Sequence, residues 1–263
     1  MSLRAMSIAA TGMLAQQLNI DVISNNIANL STTAYKQQRA EFQDLLYQDE
    51  RRVGTASSDA GTIVPTGIQV GLGVKPAAVY RITLQGALQQ TGNALDIAVR
   101  GKGYFRITLP DGTEAYTRAG AFQTDANGQI VTADGYVVGP AVTIPDNAQD
   151  ITINSAGEVL VSLDGTATAS NVGRLELVNF INPAGLKATG DNLYIETEAS
   201  GTPIIGFPGD DGFGDVQQKF LESSNVDAVK EITSMISAQR AYELNSKVIS
   251  TSDEMLQQIN QIR

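Results

Sequence analysis

The 263-residue chain has no cysteine, no histidine and no tryptophan. Without cysteine there is no disulfide scaffold, thiolate metal site or cysteine nucleophile, and the redox compartment stays open. Without histidine the commonest general base is gone, and with it every Ser-His-Asp triad and most zinc and iron sites. The missing tryptophan weakens the case for a sugar-stacking platform. An enzyme built from this chain would have to run on carboxylates, Lys, Tyr or Ser. Basic residues are scarce too: 18 Lys and Arg stand against 28 Asp and Glu, for a net charge of −10. No basic cluster exceeds Arg51-Arg52. No nucleic-acid partner and no binding to an anionic membrane through a broad basic face are expected.

Long apolar runs are also lacking. Ser7 to Leu30 is poor in charge, but Gln16-Gln17, Asn19 and Asn25-Asn26 interrupt it too often for a hydrocarbon span. The same stretch lacks the apolar core of a secretory leader despite Arg4. No membrane insertion is expected, and any export is expected to use a route that removes no conventional signal peptide.

Beyond Gly214 there is neither glycine nor proline. Nothing there breaks a helix, and Ser224 with Asp227 reads as a capping box at its start. A helix over Asn225–Arg263 would reach roughly 58 Å. Met235, Tyr242, Ile249 and Leu256 recur every seventh residue, beside Ala241, Val248, Met255 and Ile262. With Ile232 and Ile259 they form an apolar seam that calls for burial against another helix.

The candidate partner lies at the opposite end. Met6, Met13, Ile20 and Ile27 are spaced by seven, as are Ala9, Gln16, Ile23 and Leu30. Gly12 costs this helix about 1 kcal/mol relative to Ala, which suggests close packing at that point. Between Ala5 and Tyr35 the only charge is Asp21. A solvent-facing helix carries far more, so this one reads as surrounded by neighbouring subunits rather than only paired within one monomer.

The middle of the chain is different. Glu41, Phe42, Leu45, Leu46 and Tyr47 suggest a short amphipathic turn or two, and Arg51 to Gly67 an extended excursion. Residues 74–200 read as strands, including Val79–Ile82, Leu95–Val99, Tyr104–Leu109, Glu158–Leu163, Leu175–Phe180 and Leu193–Ile195. Turn signals punctuate them at Pro110-Asp111-Gly112, Asn127-Gly128, Asp134-Gly135 and Asp164-Gly165. The expected fold class is α+β: paired, coiled-coil-like terminal helices with an inserted, mainly antiparallel β domain. Three layers follow. They are a helical core domain of 1–30 and 224–263, an intermediate domain of 31–73 and 201–223, and an outer β domain of 74–200.

No catalytic, cofactor-binding or metal-binding residues emerge. Asp210-Asp211 and Asp253-Glu254 are adjacent carboxylates with no sign of a raised pKa. Asp125-Ala126-Asn127-Gly128 lacks the later Glu of a calcium loop, and Gly101-Lys102-Gly103 lacks the helix that follows a phosphate loop. Both read as turns. Glu243 and Lys247 are spaced for an i,i+4 pair.

The terminal motifs carry a resemblance. Ser24-Asn25-Asn26-Ile27-Ala28-Asn29 with Thr32-Thr33-Ala34-Tyr35-Lys36 resembles the N-terminal signature of the bacterial flagellar rod and hook axial family. Leu221-Glu222-Ser223-Ser224-Asn225-Val226 resembles its C-terminal signature, as does Gln239-Arg240-Ala241-Tyr242-Glu243-Leu244-Asn245-Ser246-Lys247. The distal-rod branch is the most similar, through Glu41–Gln48, Gly101–Phe105, Leu109–Gly112, Ala115–Gly120 and Asn192–Thr197. Two residues depart from the pattern, Ala34 and Lys219, where the family usually has Gly.

The resemblance implies a structural subunit of the distal rod, which would polymerise with copies of itself into a hollow, rigid helical drive shaft. That shaft would cross the periplasm, transmit torque to the hook and conduct exported subunits. It also implies proximal rod proteins and the hook protein as end partners. Ring proteins of the periplasm and outer membrane would surround the shaft, and the flagellar type III apparatus would export its subunits. Proximal rod or hook protein is the alternative within the family. A carboxylate enzyme acting on cell-wall glycan and a monomeric binding module on a coiled-coil stalk are the rivals outside it.

Overall fold

The computed structural model describes residues 2–51, 66–163 and 169–261. It is α+β, with one long helix at each end of the chain and a large antiparallel β region between them. The chain divides into two compact units. The first comprises 1–28, 38–80 and 227–263, and the second 29–37 and 81–226.

In the first unit, α1 (Ser2–Ala28) and α2 (Ala228–Gln261) lie against one another. The cap of α2 is Asp227, not Ser224. The Asp227 carboxylate accepts the N–H groups of Val229 at 2.9 Å and Lys230 at 3.2 Å, and its carbonyl accepts from Glu231 at 3.0 Å. Ser224 instead turns its hydroxyl to the N–H of Val226 at 3.4 Å.

The segment read as an amphipathic turn is extended. Here β1 (Gln38–Asp44) pairs with β4 (Val74–Arg81), and β2 (Tyr47–Arg51) pairs antiparallel with β3 (Ile68–Gly71). Leu45 donates to the Gly73 carbonyl at 2.8 Å and Leu72 to that of Leu46 at 3.1 Å, so the pairs join into one ribbon. The ribbon follows α1. Gln38 meets Asn26, Val74 donates to Thr11 Oγ1 at 3.3 Å, and Glu50 reaches Arg4 at 2.7 Å. Most of the Arg51–Gly67 excursion, and the Asp164-Gly165 turn, lie outside the described residues.

The second unit holds β5 (Leu88–Gln90), β6 (Ile97–Arg100), β7 (Tyr104–Thr108), β8 (Glu114–Thr117), β9 (Gln123–Thr124) and β10 (Ile130–Val131). It continues through β11 (Val137–Gly139), β12 (Ala148–Ile153), β13 (Glu158–Leu163), β14 (Ser170–Arg174) and β15 (Leu177–Asn179). It closes with β16 (Lys187–Gly190), β17 (Leu193–Ile195), β18 (Ile204–Gly206), β19 (Asp215–Gln218) and β20 (Phe220–Glu222).

Its main sheet runs β16-β17-β8-β7-β11-β10-β9, with β15 pairing both β7 and β18. Strands β12-β13-β14 form a second sheet, and the last two strands pair with β6 and β5. The central strands are buried on both faces, so period two sorts one strand into two cores. Phe105, Ile107, Ala115 and Leu177 enter the larger core with Ile97, Val99, Phe122 and Val159. Their neighbours Tyr104, Tyr116 and Val178 enter a smaller one with Phe180, Leu186 and Tyr194. The predicted turns at Gly112, Gly128 and Gly135 are present, each with a positive φ.

Candidate assembly site

The apolar heptads supply only part of the contact between the helices. On α2 the buried positions are Glu231, Ala238 and Ser252, with half-buried Asn245 completing the seven-residue spacing. On α1 they are Ala9, Ala15, Val22, Ile23 and Asn26. Asn26 Nδ2 donates to Glu231 Oε2 at 3.0 Å and to the Gln38 carbonyl at 2.8 Å, and its Oδ1 accepts from Gln38 N at 2.9 Å. At Gly12, an added Cβ would lie 2.9 Å from Asn245 Nδ2, so the bare backbone makes the close approach that the glycine suggested.

Small and hydrogen-bonding residues thus occupy much of the seam, beside the buried Val22 and Ile23. Met6, Met13, Ile20, Ile27 and Leu30 are half-buried, as are Met235, Tyr242, Ile249 and Leu256, and Ala9 and Ile23 are fully buried. Ile232, Val248 and Met255 are exposed, and Ile259 lies in the last turns of α2. Within one chain the apolar heptads are therefore only partly covered. A wholly apolar line would hold two helices in several registers, whereas this line carries amides and a carboxylate that must find partners.

Both helices leave apolar side chains in solvent. On α1 these are Leu3 at 73 % and Leu14 at 67 % exposure, in a line with Ser7, Ala10, Gln17, Asp21 and Ser24. On α2 they are Val229 at 75 % and Leu244 at 65 %, with Ile232, Ile236, Val248 and Met255. Isolated exposed leucines such as the two on α1 are ordinary, but the six exposed apolar residues along α2 mark a candidate contact surface.

The signature residues mostly serve other tasks. Ser24, Asn25 and Ala28 sit on the exposed side of α1, and Gln239, Arg240 and Glu243 on that of α2. None of the ion pairs among the described residues joins Glu243 to Lys247. Thr32 donates to the Asn29 side chain at 3.1 Å, and Val226 is buried. Asn225 ties three backbones together. It accepts from Gln37 N at 2.7 Å and donates to the Ile82 and Leu84 carbonyls at 2.9 and 3.0 Å, while its N–H donates to the Tyr35 carbonyl at 3.4 Å.

Three motifs converge on one buried ion cluster in the second unit. Glu222, with its side chain 0 % exposed, receives Lys36 Nζ at 2.5 Å on one oxygen and Arg118 Nε at 2.7 Å on the other. Gly86 N also donates to Glu222 Oε1 at 2.9 Å. Lys36 donates to the Leu84 carbonyl at 2.9 Å, and Arg118 donates to the carbonyls of Gly103, Val99 and Gly101. Every charge is paired and hydrogen-bonded, the condition under which a buried cluster is tolerated.

Burial pushes the Glu222 carboxyl up, but Arg118 and Lys36 outweigh it and hold it below the ordinary range. Burial likewise pulls Lys36 below its usual value, against the pull of Glu222. Sequence reasoning assigned no role to Arg118, Glu222 or Glu231. Positions 36, 118 and 222 are too far apart in the chain for pairing to be read, whereas Glu231, Ala238, Asn245 and Ser252 carry a heptad signal of their own that a search for apolar heptads passes over.

Family comparisons cover the same regions. Residues 6–36 match the family described as "Flagella basal body rod protein". Residues 98–161 match "Flagellar hook protein FlgE/F/G D1 domain", and 217–262 match "Flagellar basal body rod FlgEFG protein C-terminal". The chain is 59 % identical to the flagellar basal-body rod protein FlgG of Caulobacter vibrioides, over 99 % of this chain and 100 % of that one. Identity to the Agrobacterium fabrum protein of the same name is 55 %, covering 96 % and 97 %. To that of Bacillus subtilis it is 43 %, covering 98 % of each. Matched from end to end by relatives of one description, the chain belongs to the family of the flagellar basal-body rod protein FlgG.

Proposed function

We propose that the chain is a structural subunit of the distal part of the flagellar rod, polymerising through its terminal helices into a hollow, rigid shaft. It carries torque through subunit contacts, with no reaction and no cofactor. The observation that carries this reading is the apolar surface left on both helices, including Leu3, Leu14, Val229 and Leu244. Burying one such side chain is worth about 1.5–3 kcal/mol, a gain that is collected only when neighbouring subunits cover the surface. Copies of the same molecule supply such neighbours, in coiled-coil-like packing.

In this arrangement residues 1–30 and 224–263 line the inner wall, 31–73 and 201–223 form an intermediate layer, and 74–200 face outward. The proximal rod proteins and the hook protein cap the two ends, ring proteins of the periplasm and outer membrane surround the shaft, and the type III apparatus delivers its subunits. Electron microscopy of material assembled from the purified chain tests the reading. Straight, hollow tubes are expected. Curved tubes would point to a hook-like member of the family. A protein that stays monomeric at every concentration, with both helices slow in hydrogen exchange, would overturn it.

A further inference from the structure

We infer that a size-matched contact between Gly12 and Asn245 sets the register of the antiparallel helix pair. Two contacts fix the alignment: Gly12 with Asn245, and Asn26 with Glu231. They lie two heptads apart on each helix, from 12 to 26 on α1 and from 231 to 245 on α2. Midway between them the same alignment places Asn19 opposite Ala238, and both line one polar cleft with Gln16, Ser234 and Ser237. The side-chain sizes alternate across the seam. Glycine faces asparagine at one level, and asparagine faces alanine at the next.

A one-heptad slip breaks this pattern in either direction. Slipped one way, Asn19 meets Asn245, two amides where one fits, and Glu231 loses Asn26. Slipped the other way, Asn26 passes the start of α2 at Ala228 and Gly12 leaves a gap against Ala238. The apolar heptads do not discriminate in this manner, because they repeat at the same spacing on both helices. Gly12 therefore acts by absence: a Cβ there would lie 2.9 Å from Asn245 Nδ2, so the Asn245 amide would have to leave its present position in the seam.

The chain has no native cysteine, so engineered pairs report register without background. In the full-length protein, Gln16→Cys with Ala241→Cys, which share the native alignment and leave Gly12, Asn19, Ala238 and Asn245 in place, is expected to crosslink at least tenfold faster than the slipped pair Gln16→Cys with Val248→Cys. Adding Gly12→Asn to the first pair should reduce its rate to that of the slipped pair. The loss cannot come from helix propensity, since Asn is the better helix former. Adding Asn245→Gly as well exchanges the two sizes across the seam and should restore at least half of the original rate. The proposal is overturned if the two pairs crosslink equally, if Gly12→Asn leaves the rate unchanged, or if the exchange fails to restore it. Tubes that still form from a protein failing these tests would leave the assembly reading standing and remove only the register role.

Discussion

Ala34 and Lys219 share one backbone conformation, the left-handed region, at φ 58° and 63°. These are the two positions where the resemblance of the motifs leads one to expect glycine. The departure is therefore confined to residue identity, and the backbone keeps the glycine geometry. Ala34 holds it with a hydrogen bond to the Glu222 carbonyl at 2.8 Å, and Lys219 with one to that of Asp96 at 2.7 Å.

The two sites should respond differently to glycine. A left-handed L-residue costs about 1–2 kcal/mol, and glycine returns about 0.5–1 kcal/mol of that as extra unfolded-state entropy. At exposed Lys219 the net is a gain of about 0.5–1 kcal/mol for Lys219→Gly. At buried Ala34 the lost methyl removes about 0.8 kcal/mol more, so Ala34→Gly should fall within about 0.5 kcal/mol of zero. Urea unfolding followed by tyrosine fluorescence separates the two outcomes.

Glu222→Gln should be the most damaging single change in the ion cluster. It leaves two buried cations facing one neutral amide, a situation that costs about 3–5 kcal/mol. Lys36→Met removes one cation but leaves Glu222 with Arg118, and should cost clearly less. Denaturant midpoints of the two variants check the order, and a larger loss for Lys36→Met would contradict the assigned charges.

Acid should destabilise the second unit. Arg118 and Lys36 outweigh burial at Glu222, the Arg100 hydrogen bond acts on Asp215, the Gln129 N–H on Asp125 and the Thr113 hydroxyl on Asp111. All four carboxyls sit below their ordinary values of 4.5 for Glu and 3.8 for Asp. A depressed acid contributes stability above its unfolded pKa and loses it as pH falls through the folded one. Lys36 has the opposite sense. The fold binds its proton less tightly than the unfolded chain does, so its contribution rises with pH toward 10.5 and adds nothing to acid loss. The melting temperature should be flat from pH 7 to about 5 and fall below that, with a shallower fall in Glu222→Gln.

Charges on the exposed helix faces should block polymer formation and leave the fold alone. Leu14→Asp and Leu244→Glu place a carboxylate where a neighbour is to pack, at positions already in solvent. Stability of the second unit should change by less than about 0.5 kcal/mol, while the polymer yield seen by sedimentation falls at least tenfold. Normal tubes from both variants would move the contact surface elsewhere.

Much of the fold is legible in the residues. The helix at each end, the strands Glu158–Leu163 and Leu193–Ile195 and the turns at Gly112, Gly128 and Gly135 are set by local chemistry, through periodicity and through glycine at positive φ. The ribbon was harder. Gln38–Asp44 is polar and exposed along much of its length, and it is extended because it pairs with Val74–Arg81, a partner that no local pattern names. The start of α2 was displaced by three residues because Ser224 and Asp227 are both good caps, and tertiary contacts chose between them. Hydrophobic spacing picks out Ala9 and Ile23 in the seam but passes over its polar members. Asn26 and Glu231 are buried by virtue of each other.

Ile82 N–H donates to the Gln37 carbonyl at 2.8 Å, so the chain leaves the second unit after residue 37 and re-enters it a hydrogen bond away. Everything from 38 to 80 is therefore a cassette whose two ends are already side by side. Lengthening, trimming or exchanging it leaves the host's own connections in place, because no gap has to be spanned when it goes. Relatives can differ in this stretch without rebuilding the β scaffold, and a short glycine bridge from Gln37 to Arg81, with residues 1–28 and 227–263 also removed, would leave the second unit as one continuous chain for study.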